Sequence, residues 1–143
     1  MNLASKILEL LHGKTLVTAE SITGGGIGSV LTGVPGSSAV YKGGIISYCD
    51  EVKASALGVT PEILLKKGAV SAEVARQMAI GARERLKANV AVSVTGSSTG
   101  TSVTSSVTAS GSVTGSVPVT GSVSIGVSNG SAGTGTSTAM FSF

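Results

Sequence analysis

Small polar residues and glycines are concentrated at three places where predicted strands end, and the first of these clusters favours an anion. It spans residues 19–26, with the sequence Ala-Glu-Ser-Ile-Thr-Gly-Gly-Gly. Glycine lets backbone N–H groups approach an anion, and a helix that begins there adds partial positive charge. A phosphate seat built from Ser21, Thr23, Gly24 and Gly25 is therefore one interpretation. A tight strand-to-helix turn is the other, because the spacing matches neither the dinucleotide-binding fingerprint nor the P-loop.

The second cluster combines a serine turn with a lysine. Residues 35–39 are Pro-Gly-Ser-Ser-Ala, and Tyr48 and Lys53 follow. A serine hydroxyl becomes a nucleophile when a neighbouring base removes its proton, and a lysine can do this where burial lowers its pKa. The backbone N–H groups of Ser37 to Ala39 are candidates for holding an oxyanion. Taken alone, however, these residues fit an ordinary turn, a surface lysine and a packing tyrosine better.

The third cluster is Thr95-Gly96, at the end of an apolar strand, where it forms either a second wall of a ligand site or a simple turn. His12 lies at the end of the first predicted helix, where it suits the helix dipole better than catalysis. Cys49 has no His or Cys companion, so we expect it to be a packing residue. The sequence therefore predicts no metal site and no cofactor.

Composition limits the classes of function. The net charge of +3 and the aromatic content of 3% argue against a nucleic-acid partner. No apolar run approaches the roughly 20 residues of a membrane-spanning helix, so we expect no membrane partner. A single cysteine rules out an internal disulfide, and the N-terminus shows no signal-peptide pattern. These features predict a cytoplasmic protein, and small enzymes of this kind are typically homo-oligomers, here a dimer or trimer.

The elements that must position these clusters alternate between strand and helix. With 143 residues the chain is large enough for one well-packed domain. We predict a single-domain α/β fold, a three-layer α/β/α sandwich with a mixed sheet. The predicted strands are 15–19, 43–48 and 90–94, and three of the predicted helices are 23–31, 50–57 and 61–67. The first predicted helix is capped by Asn2 and has the apolar stripe Leu3, Ile7, Leu8 and Leu11. The longest is capped by Ser71 and has Val74, Met78, Ala82 and Leu86 on its buried face.

The composition changes near residue 96. No charged residue follows Lys87, and from Ser97 onward the chain is almost entirely Ser, Thr, Gly, Val and Ala. Three interpretations stay open: a low-complexity tail, a Thr/Val-rich sheet, or small side chains that stand in place of the natural ones. Within residues 97–143 we expect the last strands of the same domain. Asn129-Gly130 predicts a hairpin between residues 119–127 and 136–143.

Taken in order, these motifs resemble the CinA C-terminal domain family, the nicotinamide-nucleotide amidases also called competence/damage-inducible protein A. The resemblance covers about residues 5–96, and six ordered motifs are far more specific than any one of them. They are Ala19-Glu20-Ser21-x-Thr23-Gly24-Gly25, Pro35-Gly36-Ser37-Ser38-Ala39, Gly43-Gly44 through Tyr48 to Lys53, Leu57-Gly58-Val59, Gly68-Ala69-Val70-Ser71 and Val94-Thr95-Gly96.

The resemblance implies hydrolysis of the carboxamide of nicotinamide mononucleotide to nicotinate mononucleotide and ammonia, without a metal. Carried over by position, Ser38 matches the nucleophile and Lys53 the base that activates it, with Tyr48 close by. The expected substrate contacts are Ser21, Thr23, Gly24, Gly25, Gly36, Ser37, Ala39, Thr95 and Gly96.

The chain also departs from the family pattern. Residues 97–116 do not match the family's glycine-rich loop, and the arginine and closing helix expected after it are absent from this sequence. Ile22 stands where many members carry a cysteine. Two alternatives to the amidase therefore stay open: a non-catalytic nucleotide-binding or regulatory domain of the same fold, and an interaction module associated with competence.

Overall fold

The computed structural model describes residues 2–96 in full, and the backbone of residues 103–109 and 139–140. Helices and strands alternate as far as β2, which a short 3₁₀ turn precedes, and three helices then come before the last three described strands. In order, they are α1 (Leu3–Leu10), β1 (Leu16–Glu20), α2 (Gly26–Thr32), the 3₁₀ turn (Ser37–Ala39), β2 (Tyr41–Ile46), α3 (Asp50–Leu57), α4 (Pro61–Lys67), α5 (Ala72–Leu86), β3 (Val90–Gly96), β4 (Val103–Ala109) and β5 (Ala139–Met140).

The strands form one sheet in the order β2-β1-β3-β4-β5. The strands β2, β1 and β3 run parallel, with Leu16 of β1 opposite Tyr41 of β2 and Val90 of β3. The strand β4 runs antiparallel to β3, and β5 runs parallel to β4. Because β2, β1 and β3 are parallel, their carboxyl ends meet at one edge of the sheet, where open α/β sheets bind ligands.

Helices cover both faces of the parallel strands. Successive residues of β1 point to opposite faces, so Val17 joins a core with Leu57 of α3 and Met78 of α5. Leu16 joins a second core with Leu8 of α1 and other residues of α1, α2 and the strands. This arrangement confirms the predicted α/β fold with helices on either side of a central sheet.

Local sequence signals set most of the helix boundaries. The Asn2 side chain caps α1 by accepting a hydrogen bond from the Ser5 N–H at 2.8 Å, and Ser71 caps α5 by accepting one from Val74 at 3.2 Å. The predicted boundaries of α3 and α4 are confirmed. In α5 the buried Gly81 packs against the backbone of Leu57, where any side chain would collide with the Leu57 carbonyl.

The helix predicted over 23–31 begins later, at Gly26. Residues 23–25 instead form a turn, in which Gly24 and Gly25 have the positive φ angles that favour glycine. Thr23 points its hydroxyl at the side chain of Glu20 rather than capping a helix. The prediction was wrong here because the carboxylate of Glu20 caps this helix from outside its own sequence.

The hairpin predicted at Asn129-Gly130 lies outside the described residues, apart from the short strand β5 within its second arm. Over the residues that are described, no helix has both the length and the apolar character needed to cross a membrane.

Candidate active site

Lys53 lies at the carboxyl ends of β1 and β2, on the first turns of α3. Its side chain is 2% exposed. The Lys53 Nζ donates hydrogen bonds to the Ser21 Oγ at 3.0 Å and to the Ser47 carbonyl oxygen at 2.8 Å. Ser21 directly follows β1, and Ser47 directly follows β2, so the parallel register of the two strands brings both serines to the lysine. The sheet edge therefore builds a serine–lysine pair.

The electrostatics of this pair favour proton exchange. Burial lowers the pKa of Lys53 below its usual value of 10.5, while the nearby Asp50 carboxylate and Cys49 thiol act in the opposite direction. Both hydrogen-bond acceptors of the ammonium within residues 2–96 are neutral oxygens, so no carboxylate is bonded directly to it. Because a lowered pKa increases the share of neutral amine, Lys53 can accept the hydroxyl proton of Ser21.

A cavity of about 300 Å³ opens beside the serine–lysine pair. Tyr48 and Asp50 are exposed, Tyr48 at 66%, whereas Ser21 and Thr95 are buried. Thr95 is held in place by a hydrogen bond from its Oγ1 to the Ala69 carbonyl at 2.8 Å. The cavity thus has exposed groups at its mouth and the serine–lysine pair on its inner wall. Its lining residues are Ser21, Ile22, Tyr48, Asp50, Lys53, Ala69, Thr95 and Gly96.

The first amides of α2, where the sequence suggested a phosphate seat, are already bound by a carboxylate. Glu20 is 2% exposed and accepts hydrogen bonds from the N–H of Ile27 at 2.7 Å and of Gly28 at 3.0 Å. Its two oxygens also accept from the hydroxyls of Thr23 and Thr18. A phosphate placed there would have to displace a buried negative charge. The phosphate-seat interpretation is therefore corrected: the turn is anchored by the protein's own anion.

Ser38 and Lys53 lie beyond opposite ends of the strand β2. Ser38 is exposed in the 3₁₀ turn that precedes β2, whereas Lys53 follows β2. The strand between them is roughly 16 Å long, at about 3.3 Å per residue. Lys53 therefore cannot take the proton of Ser38 within one chain, and the expected pairing of these two residues is replaced by Ser21 with Lys53.

The expected oxyanion hole at the same turn is also not supported. The N–H groups of Ser37 and Ala39 donate to the carbonyls of Val34 and Gly36, so they are already engaged. With Gly36, these residues lie at the edge of the sheet remote from the cavity.

Of the other predicted site residues, the structure brings Ser21, Tyr48, Lys53, Thr95 and Gly96 together around the cavity. Thr23, Gly24 and Gly25 form the adjoining turn, where the Thr23 hydroxyl donates its hydrogen bond to Glu20.

Three contributors to this region were not predicted from the sequence: Glu20, the Ser47 carbonyl and Asp50. An acid at a strand end directly before a Ser-x-Thr-Gly-Gly turn was the available signal for Glu20. Asp50 falls at the start of the predicted helix 50–57 with no role in the site assigned to it, and a backbone carbonyl leaves no signal in the sequence at all. In the described part of the chain, no group of three His, Cys, Asp or Glu side chains is placed to hold a metal ion.

Comparison with known proteins identifies one family. The family model of the CinA C-terminal domain matches residues 1–129. A CinA-like protein of Cyanothece sp. is 55% identical over 97 residues, which are 66% of this chain and 23% of that protein. This chain therefore spans about a quarter of the length of that curated relative.

Solved structures agree with this assignment. The competence/damage inducible protein CihA of Agrobacterium tumefaciens is 41% identical, with a TM-score of 0.70, over 75% of this chain and 72% of that one. A CinA superfamily protein of Escherichia coli is 37% identical, with a TM-score of 0.65, over 66% of this chain and 56% of that one.

Proposed function

Because the chain belongs to the CinA C-terminal domain family, we propose that it is an amidohydrolase that converts nicotinamide mononucleotide and water to nicotinate mononucleotide and ammonia. The observation that supports this proposal is the buried contact of 3.0 Å between the Lys53 Nζ and the Ser21 Oγ, on the wall of a cavity. A serine hydroxyl within hydrogen-bond reach of a desolvated lysine is one arrangement that activates a nucleophile for attack on an amide.

In the first half of the reaction, Lys53 in its neutral form takes the proton of the Ser21 hydroxyl while the Ser21 Oγ forms a bond to the amide carbon. The resulting tetrahedral intermediate collapses as the Lys53 ammonium gives this proton to the leaving nitrogen, and the carbon–nitrogen bond breaks. Ammonia leaves, and the acyl group stays on Ser21 as an ester. No metal or redox partner is needed for the balance of these steps.

In the second half, Lys53 takes a proton from water as the water oxygen attacks the ester carbon. Collapse breaks the bond to the Ser21 Oγ, which regains its proton from Lys53, and the carboxylic acid product leaves. The Ser47 carbonyl holds the Lys53 Nζ at 2.8 Å, so the amine stays aimed at the Ser21 Oγ through both proton transfers.

Ser21 is the nucleophile in this proposal, in place of Ser38, which the resemblance implies. Geometry supports this assignment, because Ser21 is buried and hydrogen-bonded to Lys53, whereas Ser38 is exposed beyond the far end of β2. The two assignments make opposite predictions for single variants, which allows a direct test.

The test is ammonia release from nicotinamide mononucleotide by the purified chain and its variants. We expect Lys53→Met and Ser21→Ala each to lower kcat by about a hundredfold or more, since positioned proton transfer contributes on that scale. Lys42→Met is the matched control, because Lys42 is exposed on β2 and bonds only the Lys87 carbonyl among the described residues.

Two results would contradict the proposal. Full activity of Ser21→Ala together with loss of activity in Ser38→Ala would return the nucleophile to Ser38. Absence of ammonia release by the parent chain, combined with measurable nucleotide binding, would support the non-catalytic binding domain instead.

A further inference from the structure

The mouth of the cavity carries an aromatic ring and a carboxylate from two residues that are close in the sequence. Tyr48 and Asp50 both line the cavity and are exposed, with Tyr48 preceding α3 and Asp50 beginning it. Asp50 and Lys53 are three residues apart on one helix, so their side chains share a face. The cavity therefore has a negative group and a π face near its opening, and the serine–lysine pair further in.

We infer that Asp50 and Tyr48 select substrates whose ring carries a positive charge beside the carboxamide, so that a pyridinium amide binds in preference to a neutral ring of the same shape. This inference rests on the proposed amidase function and deepens it, since it assigns the part of the site that recognises the ring. An aromatic face attracts cations through its quadrupole, and a carboxylate attracts them through its charge.

The charge balance of the cavity supports this assignment. Asp50 and Lys53 are the charged side chains among the described cavity-lining residues. In the empty site the Asp50 carboxylate favours the protonated form of Lys53. A cationic ring entering the cavity brings a second positive charge, which repels the ammonium and attracts the carboxylate. The ring therefore replaces Lys53 as the partner of Asp50, and Lys53 releases its proton to solvent and becomes the base that the reaction needs.

The same selection favours the more reactive amide. A positively charged pyridinium ring withdraws electrons from its carboxamide, which makes the amide carbon more electrophilic than in a neutral ring. A carboxylate that binds the charged ring therefore recruits the substrate on which Ser21 can act.

The test compares two ligands that differ in ring charge: nicotinamide mononucleotide, with a cationic ring, and its reduced dihydropyridine form, with a neutral ring and the same carboxamide and phosphate. Binding is measured by calorimetry in the Ser21→Ala background, which removes the proposed nucleophile. We expect the cationic form to bind about fivefold more tightly, because an exposed carboxylate and an exposed aromatic ring each attract a cation only weakly in water. Proton release on binding, seen as a dependence of the heat on the buffer, is expected for the cationic form alone.

Variants separate this role from general electrostatics. Asp50→Asn is expected to remove most of the preference, and Asp50→Glu to keep it. Glu51→Gln is the matched control, because Glu51 is an exposed acid in the same first turn of α3 but does not line the cavity. Equal affinity of Ser21→Ala for the two ligands, or an unchanged preference when Asp50→Asn is added to Ser21→Ala, would overturn the inference. A preserved preference in a chain that releases no ammonia would instead refute the amidase proposal and leave this inference standing.

Discussion

The carboxylate of Glu20 makes a sharp prediction, because it is buried and holds the turn that carries Ser21. Its Oε1 accepts from the Thr23 Oγ1 and the Ile27 N–H, and its Oε2 accepts from the Thr18 Oγ1 and the Gly28 N–H. Substitution by glutamine keeps the size of the side chain but replaces one oxygen by an amino group. The two threonine hydroxyls can rotate to accept from that group, but a backbone N–H cannot.

The magnitude follows from these contacts. Whichever oxygen is replaced, one of the two half-buried N–H groups of α2 faces a donor and loses its acceptor, at about 1–3 kcal/mol. The remaining bonds lose the assistance of the negative charge, and the helix loses an anion at its positive end, worth about 1 kcal/mol more. We therefore expect Glu20→Gln to lower the free energy of unfolding by about 3 kcal/mol.

The assay is urea unfolding at neutral pH, followed by circular dichroism, with Glu51→Gln as the control. Glu51 is an exposed acid in the first turn of α3, so its loss is expected to change stability by less than about 0.5 kcal/mol. If the two variants unfold at the same urea concentration with equal slopes, Glu20 does not anchor α2, and the argument that its carboxylate occupies the predicted phosphate seat fails.

Three further predictions concern packing and charge. Gly81→Ala places a methyl group against the Leu57 carbonyl and is expected to destabilise the fold by about 3 kcal/mol, as measured by thermal unfolding. Gly26→Ala is the control in that assay, because its methyl group meets only ordinary contacts and the substitution is expected to be neutral or slightly stabilising. The kcat/KM is expected to rise with pH through the lowered pKa of Lys53. Asp50→Asn removes a charge that raises this pKa, so it is expected to move the rise in kcat/KM to lower pH. An unmoved or alkaline-shifted profile would contradict the assignment of Lys53 as base. Because the unfolded chain binds the Lys53 proton more tightly than the folded one, stability is expected to increase between the lowered pKa and 10.5, and Lys53→Met is expected to lack this increase in urea titrations at successive pH values.

The sequence was most informative where a boundary depends on local chemistry. Asn2 and Ser71 cap the helices that follow them, and Pro61 begins α4, because these side chains act within one helical turn. The start of α2 was missed because its cap, Glu20, lies on the preceding strand and reaches the helix only in the folded chain.

The candidate site shows the same division. Lys53 was predicted from the sequence as a base for a serine nucleophile, and the structure places it beside the cavity. Its partner was not predicted, because the choice between Ser21 and Ser38 depends on which edge of the sheet each one occupies. The sequence motifs favoured Ser38, and only the parallel register of β1 and β2 shows that Ser21 meets Lys53 while Ser38 lies a strand length away.

The central claim is that the acyl group forms on Ser21, and the most direct measurement is its location by mass spectrometry. The chain is mixed with nicotinamide mononucleotide, quenched with acid within milliseconds and digested with trypsin, which cuts after Lys14 and Lys42 and releases a peptide that contains both Ser21 and Ser38. Fragment ions then assign the added mass to one serine. We predict a nicotinoyl-nucleotide ester on Ser21 that is absent from Lys53→Met; the same ester on Ser38 would contradict the account.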